Sequence, residues 1–437
     1  MVFCAYTTMF KKVIQNILRS LATKVIRRHQ PRIIAITGSV GKTSTKEAIF
    51  TVVSEKLHVR RNIKNYNNEL GVPLTVLGEE SGGSNPLRWL GIIWRGWRLS
   101  MKPSKSYPSV LVLEMGADHP GDISYLVKIA PPSIGVITSV GPVHLEYFHK
   151  IEKVAHEKCE IIRSLPASGY AVLNADDDLI VPMRELTGAK AITYGFGESA
   201  DVRAHDVNMD IESGDTGSMR IKGLRFKVTY RGSVFPVQLP GAVGRHQVYP
   251  VLAAMAVGSV LGYNAVEMTQ RLERYRSPAG RMKIISGIKQ TTLIDDSYNS
   301  SPAAAKAALN TIRDLPIAGK KYAVLGDMAE LGHYTEPGHR EVGDRVVSCV
   351  DYLVTVGERA RIISAAAMTA GFSNDHIYNF DDASSAGRFL QDRIQPGDAL
   401  LVKGSQVVRM EQIVKELMAQ PDRATELLVR QGPEWQS

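Results

Sequence analysis

Cysteine is scarce in this sequence: Cys4, Cys159 and Cys349 are the only three in 437 residues. An odd, scattered set without metal-ligand spacing excludes a disulfide framework and a cysteine zinc site, and it fits a reducing compartment. Long apolar runs are also missing; none approaches the roughly 20 residues of a membrane span. The N-terminus lacks an apolar stretch followed by a small-residue cleavage site, so export is not expected. Acidic residues are absent from two stretches. Residues 1–31 carry Lys11, Lys12, Arg19, Lys24, Arg27 and Arg28 without an Asp or Glu, and residues 81–113 carry Arg88, Arg95, Arg98, Lys102 and Lys105 without one. Those eleven cations exceed the net charge of +9, so the rest of the chain is slightly acidic. The basicity is local, which argues against a bulk polyanion-binding surface and against nucleic acid as a partner.

What is present has ordinary globular proportions, 44% hydrophobic and 22% charged. The length calls for two or three domains. Phe10, Val13, Ile14, Ile17, Leu18, Leu21 and Val25 fall at helical spacing, with cations on the other side. Buried strands are predicted at Arg32–Ile36, Val110–Leu113, Ile134–Ile137 and Tyr170–Leu173, with helices at Lys42–Ser54 and about 150–164. Alternating apolar strands and helices mean a parallel sheet covered on both faces. Short alternating segments at 191–196, 217–222, 224–230 and 233–239 predict a small antiparallel subsheet, followed by helices at 244–260 and 265–274. A last α/β block has strands at Thr292–Asp295, Tyr322–Leu325, Tyr352–Val356 and Ala399–Val402. The expected architecture is α/β. A basic amphipathic helix (1–31) precedes a P-loop parallel-sheet ATPase domain with the subsheet (32–280). A Rossmann-like C-terminal domain (281–420) and a polar tail expected to fray (421–437) follow.

The chemistry begins at Thr37-Gly38-Ser39-Val40-Gly41-Lys42-Thr43-Ser44, which follows a strand and opens a helix. In that context backbone N–H groups and a helix N-terminus cradle phosphates, Lys42 reaches the β/γ-phosphates and the Thr43 hydroxyl ligates Mg²⁺. The strict Walker pattern wants glycine at position 36, where this chain has Ile36. Glu114 ends a buried strand, where ligands collect in open parallel sheets; it is placed to hold a metal, or equally to cap a helix. His144 follows the next strand. A lone loop histidine is more often structural, but Thr43, Glu114 and His144 at three strand ends of one sheet suggest a metal site.

These segments, in order, resemble the Mur ligases. The resemblance rests on the 37–44 loop, Asn65-Tyr66-Asn67-Asn68-Glu69-Leu70-Gly71-Val72-Pro73, Glu114-Met115-Gly116 and His144-Leu145-Glu146. It continues through Leu239-Pro240-Gly241, Gly244-Arg245-His246, Gly280-Arg281, Asp295-Asp296-Ser297-Tyr298-Asn299, Asp327-Met328-Ala329-Glu330-Leu331-Gly332 and Leu401-Val402-Lys403-Gly404-Ser405. It spans about residues 32–412 and is strongest toward the branch that adds D-Ala-D-Ala. The Asp327–Gly332 segment speaks against the folate-extending branch, and no Asp-Asn-Pro-Arg segment of the diaminopimelate-adding branch is present.

The resemblance implies a mechanism. A muramoyl-peptide carboxylate attacks the γ-phosphate of ATP, and the dipeptide amine then displaces phosphate from the acyl phosphate; positioning and charge neutralisation carry such chemistry. It implies two Mg²⁺ ions, the first on Thr43 and Glu114, the second on His144 with a carbamoylated Lys158, which CO₂ turns from cation to anion. Read without the resemblance, Lys158 is one of several helix lysines and solvation is the default. Arg281 is expected on the transferring phosphate, Asp296 on the ribose, and His246 beside the nucleotide with Gly38, Ser39, Val40, Gly41 and Ser44. Asn67 and Asn68 are expected on the sugar-peptide donor, and Tyr298, Asn299, Asp327 and Glu330 around the amino component. A monomer is expected.

Two departures stand out. The family usually carries a UDP-gripping domain before the ATP loop, whereas here the loop begins at residue 37; a lipid-linked or other non-UDP donor is the alternative, as is a non-catalytic ATP-binding scaffold of wall synthesis. Gln247 and Pro250 replace asparagines usual around His246, with Pro250 suited to a first helical turn. Trp89, Trp94 and Trp97 lie among Arg88, Arg95 and Arg98, the composition of a membrane-surface element. Segments 1–31 and 86–105 are therefore expected to dock from the cytoplasm on the inner leaflet or on a lipid-linked precursor; the alternative is that the N-terminal helix packs on the ATP domain and the tryptophans fill the gap left by the missing domain.

Overall fold

A computed structural model describes residues 2–63, 66–143, 145–213, 219–432 and 435. Two sheets organise the chain. The first contains β1 (Arg32–Thr37), β2 (Val59–Arg61), β3 (Val110–Glu114), β4 (Ile134–Ile137), β5 (Tyr170–Asn174), β6 (Lys190–Gly195), β7 (Val202–Ser213), β8 (Met219–Tyr230) and β9 (Ser233–Pro240). Its order is β2-β3-β1-β4-β5-β6-β7-β8-β9, parallel from β2 to β7 and antiparallel through β8 and β9. In β1 the side chains alternate between two apolar cores. Ile33 and Ala35 join the core that includes the N-terminal helix Val2–His29 and the helices Gly71–Leu77, Pro86–Met101, Asp122–Ile129 and Ile151–Arg163. Ile34 and Ile36 join the core formed with Lys42–Val53, Val248–Val260 and Ala265–Leu272. Both faces being apolar explains the uninterrupted Ile-Ile-Ala-Ile run.

The second sheet holds β10 (Lys283–Ser286), β11 (Thr292–Asp296), β12 (Lys321–Gly326), β13 (Tyr352–Val356), β14 (Ile377–Phe380) and β15 (Ala399–Lys403), in the order β10-β11-β15-β12-β13-β14. Only β10 runs antiparallel to its neighbour. Its two faces also carry separate cores.

The structure differs from the sequence expectations in four places. Residues 191–196 belong to the parallel part of the sheet, with Tyr170 opposite Lys190. Of the segment expected at 217–222, residues 217 and 218 lie outside the described residues, and 219–222 form one strand, β8, with 224–230; its partner β7 was not anticipated, since its residues Arg203, His205 and Asp206 break the apolar alternation. The subsheet is continuous with the large sheet, not separate. The stretch after Gln420 does not fray through 432: Ala424 and Leu428 are buried, and Arg430 pairs with the buried Glu411 at 2.9 Å. The N-terminal helix packs on the protein through Ile14, Leu18, Leu21, Ala22 and Val25. Pro250 lies in the first turn of its helix, where the missing N–H costs nothing. No helix of the described residues is long and apolar enough to cross a membrane.

Candidate active site

The site lies at the carboxyl end of β1, between the outgoing loops of β3 and β4, where the chain leaves the sheet in opposite directions. Two glycines let the 38–41 loop turn there. Gly41 has φ +88°, the left-handed region that a side chain strains, and a Cβ at Gly38 would stand 1.9 Å from Thr138 Oγ1. The loop is fastened to residues 138–141: Ser39 N donates to Ser139 O (2.8 Å), Val40 N to Ser139 Oγ (3.0 Å), Gly141 N to Ser39 Oγ (2.9 Å) and Thr138 Oγ1 to Val40 O (2.6 Å). The unpaired N–H groups opening the helix Lys42–Val53 then face the loop's concave side. Lys42 Nζ donates to Gly38 O at 2.6 Å. Burial holds its pKa below the ordinary lysine value, with Arg281 adding to that and Glu114 and Asp118 opposing it.

Thr43 is the junction of the site. Its hydroxyl donates to Glu114 Oε2 at 3.0 Å and accepts from Arg281 Nη2 at 3.1 Å. The Arg281 guanidinium also lies 4.1 Å from the centre of the Tyr298 ring, a cation–π contact that fixes its reach. A residue before β10 thus meets a residue after β1. Glu114 is buried, and its other oxygen accepts from Asn67 Nδ2 at 3.1 Å. Asn62 supports the strand end, accepting from Glu114 N at 2.6 Å. One turn beyond Lys42, the buried Lys46 donates to Asn62 O (2.9 Å) and lies 3.8 Å from Glu114 Oε2. Two hard oxygens, Thr43 Oγ1 and Glu114 Oε2, converge beside the phosphate loop. That is the donor type Mg²⁺ takes together with phosphates and water, and the pair fits that ion.

Lys158 lies on the helix Ile151–Arg163 and is 2% exposed. Burial, then repulsion from Lys42, lower its pKa to about 7 against the pull of Glu157 and Asp118. An amine so placed is available in its neutral, nucleophilic form near physiological pH. Its neighbour Glu157 accepts from Gly121 N (2.8 Å) and Ile123 N (2.7 Å). It thereby caps the helix Asp122–Ile129 and ties the two helices together. His144 lies outside the described residues, as does Asn65; the helix Leu145–Phe148 begins directly after His144. Among the described residues no cluster of three or more His, Cys, Asp or Glu forms a metal cage.

The second sheet contributes a further group. Asp296, at the end of β11, accepts from Lys403 Nζ (2.6 Å), at the end of the adjacent β15, and from Met282 N (3.1 Å). Lys403 also donates to Asn299 O at 2.9 Å. His246 feels both charges, and its burial lowers its pKa despite Asp296. Its neighbour Gln247 donates to Arg281 O at 3.4 Å. Arg430, from the C-terminal segment, donates to Ser297 O (2.6 Å) and Tyr298 O (3.2 Å) and so holds the loop that holds Arg281.

The remaining expected residues divide. Asn67 is at Glu114, but Asn68 Oδ1 accepts from Gly71 N (2.9 Å) and Leu70 N (3.3 Å), capping the helix that follows. Asp327 Oδ1 accepts from Ala360 N at 2.7 Å, at the start of the helix Arg361–Thr369. Glu330 sits at φ +63° in a loop whose Gly332 packs against Glu146, which brings that loop to the segment after His144. Lys46, Asn62, Asp118, Glu157 and Arg430 were not singled out from the sequence. The signals available were a second lysine one turn after Lys42 and a carboxylate beside Lys158.

Comparison with known proteins places the chain in a family. Residues 98–258 match the Mur ligase middle domain, and residues 280–406 match the Mur ligase glutamate ligase domain. The chain is 29% identical over 406 residues to UDP-N-acetylmuramoyl-tripeptide–D-alanyl-D-alanine ligase of Bacillus subtilis (strain 168), covering 92% of this chain and 79% of that one. It is 32% identical to the ligase of the same name from Mycobacterium tuberculosis (strain ATCC 25618 / H37Rv), covering 89% and 73%. Among solved structures it resembles MurF from Acinetobacter baumannii (TM-score 0.75, 26% identity, 91% and 79% covered). MurF ligase from Thermotoga maritima in complex with ADP is similar too (TM-score 0.73, 26% identity, 92% and 83% covered). The chain belongs to the Mur ligase family and is an ATP-dependent ligase of peptidoglycan precursor synthesis.

Proposed function

We propose that this ligase joins the terminal carboxylate of a muramoyl peptide to the amine of D-Ala-D-Ala, forming ADP and phosphate. The observation that carries the reading is Thr43 held between Glu114 and Arg281 at the mouth of the phosphate loop. In this reading residues 32–280 bind ATP, residues 281–420 receive the amine, and the two parts would meet at the same phosphate. The N–H groups of Gly38 to Ser44 take the phosphates, and Lys42 neutralises the β/γ bridge. The donor carboxylate attacks the γ-phosphorus, the bond to the ADP oxygen breaks, and Arg281 stabilises the charge that develops. The amine then adds to the acyl carbon of the acyl phosphate, losing its proton, and phosphate leaves.

Thr43 and Glu114 would hold one Mg²⁺, and His144 with a carbamoylated Lys158 would serve a second; the ions supply charge neutralisation at the phosphates and the acyl oxygen. Asp296, with Lys403 and His246 beside it, faces the nucleoside. Asn67 and Asn68 serve the donor; Tyr298, Asn299, Asp327 and Glu330 border the amine side. The ligase is proposed to act as a monomer. ATP use and the free thiols of Cys159 and Cys349 suit the cytoplasm, with segments 1–31 and 86–105 toward the inner face of the membrane. Phosphate release is measured with Mg·ATP, UDP-linked muramoyl tripeptide and D-Ala-D-Ala, each omitted in turn. Release must require all three; release indifferent to both donor and amine would falsify the assignment. A lipid-linked donor in a parallel arm identifies the carrier.

A further inference from the structure

The helix Pro86–Met101 carries an apolar row that no described part of the chain covers. Leu87, Leu90, Trp94, Trp97 and Met101 are 76%, 62%, 56%, 54% and 56% exposed, and their alternating spacing of three and four residues lines them along one face. The opposite face is engaged: Trp89, Ile92 and Gly96 are buried against the core, and Trp89 Nε1 donates to Gly83 O at 3.0 Å. The row is therefore held rigidly outward, about 21 Å long at the rise of an α-helix. One residue further on at each step lies a second row, Arg88, Gly91, Arg95, Arg98 and Lys102, about 100° round the helix.

Arg95 is paired with Glu79 and Arg88 approaches Glu80 at 3.9 Å. The excess positive charge therefore falls on the exposed Arg98, Lys102 and Lys105. The N-terminal helix extends it: exposed Arg27 and Arg28 end beside this helix, where Arg28 Nη2 donates to Met101 O (3.1 Å) and the His29 ring meets Leu99 O (3.0 Å).

We infer that this face binds the surface of an anionic lipid bilayer, the apolar row entering the headgroup–acyl boundary and the adjacent cations meeting lipid phosphates. The two tryptophans and the flexible arginine and lysine stems suit that boundary, and the helix is too short and too polar to span. A second copy fits less well. Pairing two such faces would press like charges together, and a strip about 21 Å by roughly 10 Å is far below the ~800 Å² per partner of a stable interface.

The test uses the full chain in a flotation assay with neutral phosphatidylcholine vesicles and with vesicles containing phosphatidylglycerol. Binding to the anionic vesicles is expected to be about a hundredfold tighter than to neutral ones, and to be lost at high salt. Trp94→Ala with Trp97→Ala should weaken it at least about tenfold, as should Leu87→Gln with Leu90→Gln; Arg98→Gln with Lys102→Gln should remove most of the salt dependence. All six side chains are exposed, so the melting temperature and ATP-dependent turnover should be unchanged. Brominated lipid should quench fluorescence of the wild type and not of the double tryptophan variant. Absence of anionic-vesicle binding, or equal binding to both vesicle types, overturns the inference. A wild-type dimer in sedimentation that the tryptophan substitutions dissolve would assign the row to a second copy instead.

Discussion

Lys158→Ala removes an amine that the fold has stripped of most of its charge. Burial is the main cause, Lys42 adds repulsion, and Glu157 with Asp118 only partly opposes them, which brings the pKa from 10.5 to about 7. At pH 8 roughly nine-tenths of this side chain is neutral, against about 0.3% of an ordinary lysine. Several hundred times more amine is thus free to add CO₂. The sign follows from the direction of the shift: the neutral form, and the carbamate made from it, are lost as pH falls through about 7. In the same window the unfolded chain binds a proton that the folded chain does not, so in the absence of CO₂ this group makes stability rise from about pH 7 to pH 10.5. With ¹³C-labelled bicarbonate the wild type should show a carbamate carbonyl resonance that the variant lacks. Turnover of Lys158→Ala should fall about 10²- to 10³-fold, the range for losing one fixed electrostatic group. Acetate or propionate, occupying the vacated space, should restore part of it while chloride does not. Wild-type turnover in the variant, or a labelled resonance that persists without Lys158, would refute the reasoning.

Thr43→Val keeps the shape and deletes two hydrogen bonds to charged partners, each worth about 1.5–3 kcal/mol. Steady-state kinetics should show kcat/KM down at least about tenfold per bond, and titration calorimetry should show weaker Mg·ATP binding than Mg-free ATP binding would suggest. Arg281→Lys preserves the charge but not the planar stack on Tyr298 or the reach to Thr43. Its kcat should fall about a hundredfold while ATP affinity moves only a few-fold; equal losses in both would assign Arg281 to ground-state binding. Arg430→Ala removes one of the two arginines on the buried Glu411 and leaves Arg409 on it at 2.6 Å, so denaturant unfolding should show a loss of about 1.5–3 kcal/mol. Arg430→Met with Glu411→Leu should recover much of that stability without recovering the hold on the 297–298 carbonyls, and ATP turnover should report the difference.

The fold was legible wherever burial was two-sided or periodic. The Ile33–Ile36 and Val110–Leu113 runs had to be strands of a covered sheet, and the glycine loop between a strand and a helix placed the phosphates. β7 escaped because it combines exposed polar residues with a register shift between His205 and Asn208, which erases the alternation that marks a strand. β10 and β14 are four-residue pieces at sheet edges, too short to show a period. In the site, Lys42, Thr43 and Glu114 could be found from local context, since each sits at a strand or helix end. Lys158, Arg281 and Asp296 were reached only through resemblance, because their meaning depends on contacts with residues distant in the chain. Glu157, Lys46 and Arg430 were hidden for the same reason. Burial and pairing turn a charged side chain into a structural part, and neither is written in its neighbours.

The fastening of residues 38–41 to residues 138–141 has a thermodynamic consequence. A loop tied by six hydrogen bonds to the neighbouring strand's exit is already in one conformation, so its ordering entropy is met during folding and not at each encounter with nucleotide. Nucleotide capture can then proceed close to rigid docking. A Thr138→Ala substitution acts on that economy without touching a phosphate contact: it should leave the bound state nearly intact and slow its formation, as an induced fit replaces a preformed cradle.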